Sequence, residues 1–170
     1  MADVPEHLRG IFRNDGEEAG SPQLTASMVR AAEGKLGYRL PQSYLELLGV
    51  RNGGYLKRRF FPTDRCKSWA EDHVMVDHVM GIGGEGGIDG DLGSQYLVEE
   101  WDYPDVGVVI SSDGHTAFML DYSHCGGGGE PRVIWVDTGT DSGSAGVSVL
   151  AADFASFLAR LREPPEGIGY

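Results

Sequence analysis

The sequence predicts a fold in which helices and strands are segregated along the chain, with two helices first, then a series of strands, then a closing helix. Three observations carry this. The stretch Leu40-Pro41-Gln42-Ser43-Tyr44-Leu45-Glu46-Leu47-Leu48 reads as a short buried helix stopped by Asn52-Gly53-Gly54. Two apolar runs flank Asp113-Gly114, a strong hairpin signal. Phe154, Phe157, Leu158 and Leu161 recur at helical spacing near the end.

Taken in order, Val4 to Phe12 predicts a short helix with Leu8, Ile11 and Phe12 on one side. A polar loop over 14–22 then separates an N-terminal lead, 1–23, from a single domain, 24–163, which leaves a C-terminal tail, 164–170. Thr25 suits an N-cap, Leu24 and Val29 are spaced as a hydrophobic staple, and Met28, Ala32 and Leu36 continue an inner stripe that Gly37 ends. In the second helix Pro41 fits the first helical position, where its missing N–H costs nothing, and Tyr44, Leu47 and Leu48 share one face. Asn-Gly-Gly supplies left-handed residues to end it.

Beyond Gly54 the pattern turns to strands. Tyr55 to Phe61, ending at Pro62, predicts one, and Val74 to Met80 predicts another leading into a glycine-rich loop at 81–93. Ser94 to Trp101 reads as a short helix with Tyr96, Leu97 and Trp101 on one face. Val106 to Ser111 and Thr116 to Tyr122 form the hairpin, with a type I′ turn that needs positive φ at both central residues. A loop over 123–130 precedes the last confident strand, Pro131 to Asp137. A second small-residue loop over 139–146 then leads to the C-terminal helix, which Pro164-Pro165 stops, and 166–170 fray.

A chain of 170 residues matches one domain and can bury a core without disulfides or metal. Its formal charge of −12 argues against nucleic-acid binding, which cationic side chains drive by releasing counterions from phosphates. Such a charge suits a basic protein partner, and it also simply keeps a protein soluble. Cys66 and Cys125 have no metal-knuckle or disulfide-framework spacing. The N-terminus lacks a basic segment followed by an apolar one, and no run has the length to span a bilayer, so the expectation is a cytoplasmic protein.

No motif assembles catalytic or metal chemistry. Gly81-Ile82-Gly83-Gly84-Glu85-Gly86 matches G-x-G-x-x-G, but an acidic loop follows where a helix N-terminus would have to meet pyrophosphate. Asp89 and Asp91 begin a calcium-loop pattern with Glu100 at the twelfth position, yet Ser94 stands where the sixth-position glycine belongs. His73 and His78 are five apart, and the adjacent His124 and Cys125 diverge, so neither pair makes a ligand set or a nucleophile with its base. No catalytic residue, metal site or cofactor is expected, and the chain is read as a non-enzyme.

Two charged stretches remain. Lys57, Arg58, Arg59, Arg65 and Lys67 concentrate positive charge, read first as edge-strand protection and second as a patch pairing with acidic residues of the chain or of a twin subunit. Glu85, Asp89, Asp91, Glu99, Glu100, Asp102 and Asp105 form the densest acidic stretch, interleaved with Tyr96, Trp101 and Tyr103. Aromatic anchors among steering carboxylates suit an interface, whereas a solvated acidic rim around a core tryptophan is the plainer account. The expected partner-binding set is Glu85, Asp89, Asp91, Glu99, Glu100, Asp102, Tyr103 and Asp105, with Trp101 itself expected in the core.

The order LPxxYLxLL, NGG, strands around VGVVISSDG, PxVxWV and a terminal FxxFLxxL helix resembles the SUKH superfamily. That superfamily is known from fungal cell-wall-assembly regulators of the Smi/Knr type and from bacterial immunity proteins that neutralise polymorphic or contact-dependent toxins. The resemblance implies an α+β fold, a mixed, largely antiparallel β-sheet flanked by two N-terminal helices and one C-terminal helix, and no catalysis. It implies a cytoplasmic immunity protein that binds a cognate toxin domain, a basic nuclease being one candidate, with no direct nucleic-acid or membrane partner. The alternative is an intracellular protein-binding adaptor or scaffold of the cell-wall-regulator type.

Overall fold

A computed structural model of the chain describes residues 3–14, 22–139 and 145–168. Most of the loops expected over 14–22 and 139–146, and the end of the tail, lie outside the described residues. The fold is α+β, as expected, and every strand pairing among the described residues is antiparallel.

The two opening helices form where their caps place them. Helix α1 runs Ala26–Leu36; the Thr25 hydroxyl accepts from the Met28 N–H at 3.2 Å, and Gly37 closes the helix at φ 78°. Ala32 is buried, with Met28 and Leu36 half-buried beside it. The Glu33 carboxylate accepts from the Leu40 N–H at 2.8 Å and so fixes the connector into α2, Gln42–Val50. Pro41 stands as the cap of α2, one position before the one expected, and its carbonyl accepts from the Tyr44 and Leu45 N–H groups. Tyr44, Leu47 and Leu48 are all buried.

The N-terminal lead does not form the expected α-helix. It makes only a 3-10 turn at Glu6–Leu8, after which Phe12 bridges antiparallel to Leu56. Leu8, Ile11 and Phe12 nevertheless enter the same core as the rest of the chain.

Each of the two strands expected over 55–61 and 74–80 is split. β1 (Gly54–Tyr55) pairs with β4 (His78–Val79), and β2 (Phe60–Pro62) pairs with β3 (His73–Met75). Between the halves Leu56 donates to the Asp77 carbonyl and Val76 to the Arg59 carbonyl, so Lys57 and Arg58 are two extra residues bulged out of one side. Both bulged amides donate to the Ile11 carbonyl, which is why the ladder breaks there and takes in the lead instead. The basic cluster is largely spent inside the chain. Lys57 pairs with Glu163 at 2.9 Å, Arg59 pairs with Asp77 at 2.9 Å, and Arg58 donates to the carbonyls of His7 and Arg9.

The main sheet has four strands in sequential order: β5 (Gly107–Ser112), β6 (Thr116–Asp121), β7 (Arg132–Asp137) and β8 (Gly146–Ala151). β8 extends the sheet past the last strand expected from sequence. The β5–β6 turn also differs from expectation: it centres on Gly114-His115, with positive φ at Gly114 alone. The Asp113 carboxylate accepts from the Thr116 N–H at 2.7 Å, a bond that holds the turn in that register. Helix α4 (Phe154–Arg160), capped by Asp153, presses Phe154 and Phe157 against Tyr44, Phe61 and Phe118. Burying each such ring contributes about 1.5–3 kcal/mol. The helix ends well before Pro164, because Arg162 turns extended and bridges Phe60.

Candidate functional site

The glycine-rich segment 81–93 is a tightly wound loop, and the residues of the opening sequence pattern hold it in place. The Tyr44 hydroxyl donates to the Met80 carbonyl at 2.6 Å. The Asn52 carboxamide accepts from the Ile82 N–H and donates to the Ile82 carbonyl, both at 2.8 Å, and donates to the Pro22 carbonyl at 2.8 Å. Gly53 and Gly81 meet here so closely that a Cβ on Gly81 would lie 2.3 Å from the Asn52 carbonyl oxygen, a space no side chain can share. Burial in this setting pushes the Tyr44 phenol far above its ordinary pKa.

Inside the loop Ile82 and Ile88 are buried, Ile88 donates to the Gly81 carbonyl, and Leu92 donates to the Glu85 carbonyl. The Asp89 carboxylate accepts from the Gly83 N–H at 2.8 Å, while its carbonyl takes the Lys35 ammonium at 2.5 Å. Asp89 therefore organises the loop, and no group of three metal-ligating side chains converges among the described residues. Between this loop, Asn52 to Tyr55 and His78 to Met80 lies a cleft of about 540 Å³ with nearly half of its lining residues glycine. Burial lowers the pKa of His78, which lines it, and the neighbouring Asp77 and Asp113 offset part of that shift.

The loop delivers the chain into α3, Ser94–Trp101, which docks on the edge of the main sheet through the buried Ser94 hydroxyl, an acceptor from the Val109 N–H at 2.8 Å. Leu97 and Val98 turn inward, and Gln95, Tyr96, Glu99 and Glu100 face outward. Tyr96 thus leaves the face that the sequence pattern gave it and stands 40% exposed. Trp101, expected in the core, is 36% exposed and lies across the hairpin turn, its ring against Gly114 and 5.5 Å from that of His115. Leu92, just before the helix, is 47% exposed.

The expected partner-binding residues separate into two groups. Glu85, Asp91, Glu99, Glu100, Asp102 and Asp105 are exposed along the loop, α3 and the turn that follows it. Asp89 is half-buried and occupied within the loop. Tyr103 is 4% exposed and pins the hairpin: its hydroxyl is 2.7 Å from the Ser112 hydroxyl and donates to the Gly114 carbonyl at 2.5 Å. Burial raises its pKa.

What emerges is an outward face of α3 where Tyr96 stands among carboxylates, with exposed Leu92 just before the helix and Trp101 at its far end, packed on the hairpin turn. Residues four apart on a helix are neighbours, so Tyr96 and Glu100, and Gln95 and Glu99, form adjacent pairs. α3 separates two hollows. Leu97 lines the glycine cleft, while Val98 and Glu99 line a smaller hollow of about 290 Å³ against the end of α1. Leu36 and Tyr38, which reach this second hollow, are distant in sequence and were not among the expected site residues.

His73 is buried, stacked on Phe60 at 4.6 Å and paired with Asp72 at 2.8 Å; Cys66 is buried, its thiol pushed up to about 11 by burial. Among the described residues no helix is long and apolar enough to cross a membrane. A family model described as the SMI1 / KNR4 family (SUKH-1) matches residues 23–160, well over half of the chain. No curated protein and no solved structure matches it.

Proposed function

The chain belongs to the SMI1 / KNR4 family (SUKH-1), and from that premise we propose that it is an immunity protein that binds and neutralises a cognate bacterial toxin in the cytoplasm of the producing cell. The observation that carries this reading is the outward face of α3, where exposed Tyr96 lies among exposed carboxylates on a sheet-anchored helix, with exposed Leu92 just before it. Aromatic side chains supply contact area at low entropic cost, and the carboxylates steer a cationic partner. A nuclease domain fits as the target, because its substrate groove is basic and an acidic face can occupy it.

The test is co-expression with a candidate toxin domain, sought among the gene's neighbours, scored for growth and for a stoichiometric complex. Wild type restores growth; Tyr96→Ala with Glu100→Lys weakens the complex by at least about tenfold while leaving the melting temperature nearly unchanged. Raising salt from low to physiological ionic strength weakens binding of the wild type. Rescue that survives the double variant, or affinity indifferent to salt, removes this face from the interface. A stable complex with a different protein and no rescue by wild type moves the chain to the adaptor reading.

A further inference from the structure

We infer that the hollow between the end of α1 and the flank of α3 receives an arginine side chain of the basic partner. This deepens the protein-binding reading of the α3 face and rests on it. Four features of the hollow agree. Half-buried Leu36 and Val98 give it apolar surface for an aliphatic stem, and Tyr38 lends an aromatic wall. The Tyr38 ring is held by stacking on Tyr122 at 4.5 Å, and the Tyr122 hydroxyl is in turn anchored on the Arg39 carbonyl at 2.6 Å. Exposed Glu99 and Asp105 line the same hollow, and neither makes an ion pair among the described residues. Leu36 ends α1, so the negative end of that helix faces the hollow, while α3 borders it along one flank from Ser94 to Glu99.

No lysine, arginine or histidine lines the hollow, so a site negative by its side chains and by the end of α1 has no cation of its own. A guanidinium suits it better than an ammonium. Its planar fork can engage carboxylates while lying against an aromatic ring, and it is the more weakly hydrated of the two cations.

The experiment titrates the isotope-labelled full chain with the peptide acetyl-Gly-Arg-Gly-amide, following backbone amide resonances, beside the matching lysine and citrulline peptides. Citrulline keeps the shape of arginine and removes its charge. The expected result is saturable shifts centred on Tyr38, Val98, Glu99 and Asp105, with citrulline weaker by about tenfold or more. Glu99→Gln combined with Asp105→Asn abolishes saturation while resonances remote from the hollow stay in place, and Tyr38→Leu weakens binding at unchanged net charge. Equal binding of citrulline and arginine overturns the inference, as do shifts centred on Glu85 and Asp91 that survive the double variant. The titration uses no toxin, so it can fail while growth rescue succeeds, and the reverse.

Discussion

Replacing Asn52 with alanine should loosen the glycine-rich loop more than any other single truncation outside the main core. Asn52 is buried and makes three hydrogen bonds, two to Ile82 and one to Pro22. Without its carboxamide the buried Ile82 N–H and C=O lose their partners, whereas the part-buried Pro22 carbonyl can turn to water. A net hydrogen bond contributes about 1 kcal/mol and each buried orphan costs about 1–3 kcal/mol, so two orphans put the loss near 3–4 kcal/mol. Against a whole-domain stability of about 5–15 kcal/mol this is a large fraction. Urea unfolding followed by circular dichroism measures it, and hydrogen exchange over 81–93 locates it. Tyr44→Phe, which removes only the bond to Met80, should lose less, about 1–2 kcal/mol. Because Tyr44 and Asn52 fasten alternate residues of one segment, the double variant should depart from additivity by more than about 0.5 kcal/mol. A loss below about 1 kcal/mol for Asn52→Ala, with exchange over 81–93 unchanged, would refute the role given to this side chain.

Three further outcomes follow from the same geometry. Gly81→Ala drives its methyl into the Asn52 backbone and should destabilise by about 3 kcal/mol or more, read by the same denaturant titration. Gly114→Ala meets both a φ of 98° and the Trp101 ring at 2.7 Å; the Trp101 indole resonance should shift and stability fall by about 1–3 kcal/mol. Asp121 is buried, which alone would raise its pKa, but hydrogen bonds from Ser123 and Arg132 outweigh burial and hold the carboxyl below its ordinary value. Its contribution is therefore present above the ordinary carboxylate range and lost as pH falls through the depressed value, and acid unfolding of Asp121→Asn should be flatter in that window than that of the wild type.

Much of this fold is legible in the sequence wherever one residue has a single local job. Thr25 and Gly37 bound α1, Tyr44, Leu47 and Leu48 turn inward together, and Asp113-Gly114 marks the hairpin. The misreadings occur where a distant partner decides. The runs over 55–61 and 74–80 hold β-type residues at both ends, as continuous strands would, and nothing in their composition marks the two residues that bulge. The break comes from Ile11, far away in sequence, whose carbonyl takes the bulged amides. Gly146–Ala151 carries no charge, turn signal or aromatic residue to set it apart from the small-residue loop before it, and β7 makes it a strand. The site was half legible. Its carboxylates are contiguous enough to be seen as a run, but the run holds Tyr103 and Asp89 as well, and only tertiary structure assigns those two inward.

The pattern that makes the family recognisable and the face that would meet a partner are separate by construction. Tyr44, Asn52 and Gly53 all act inward, on Met80, Ile82 and Gly81, and their requirements are strict because a buried carbonyl must be paired and a backbone contact leaves no room for a Cβ. Those three fix where the loop begins, Ile88 and Ser94 fix where it ends, and α3 is then carried on the sheet edge in one orientation. Leu92, Gln95, Tyr96, Glu99 and Glu100 hang from that frame, exposed, and their side chains make no hydrogen bond to another described residue. Exchanging these five together should therefore alter which partner binds while leaving stability within about 1 kcal/mol, measured by denaturant unfolding beside a binding assay. If such an exchange unfolded the protein, α3 would be part of the core and the division between frame and face would fail.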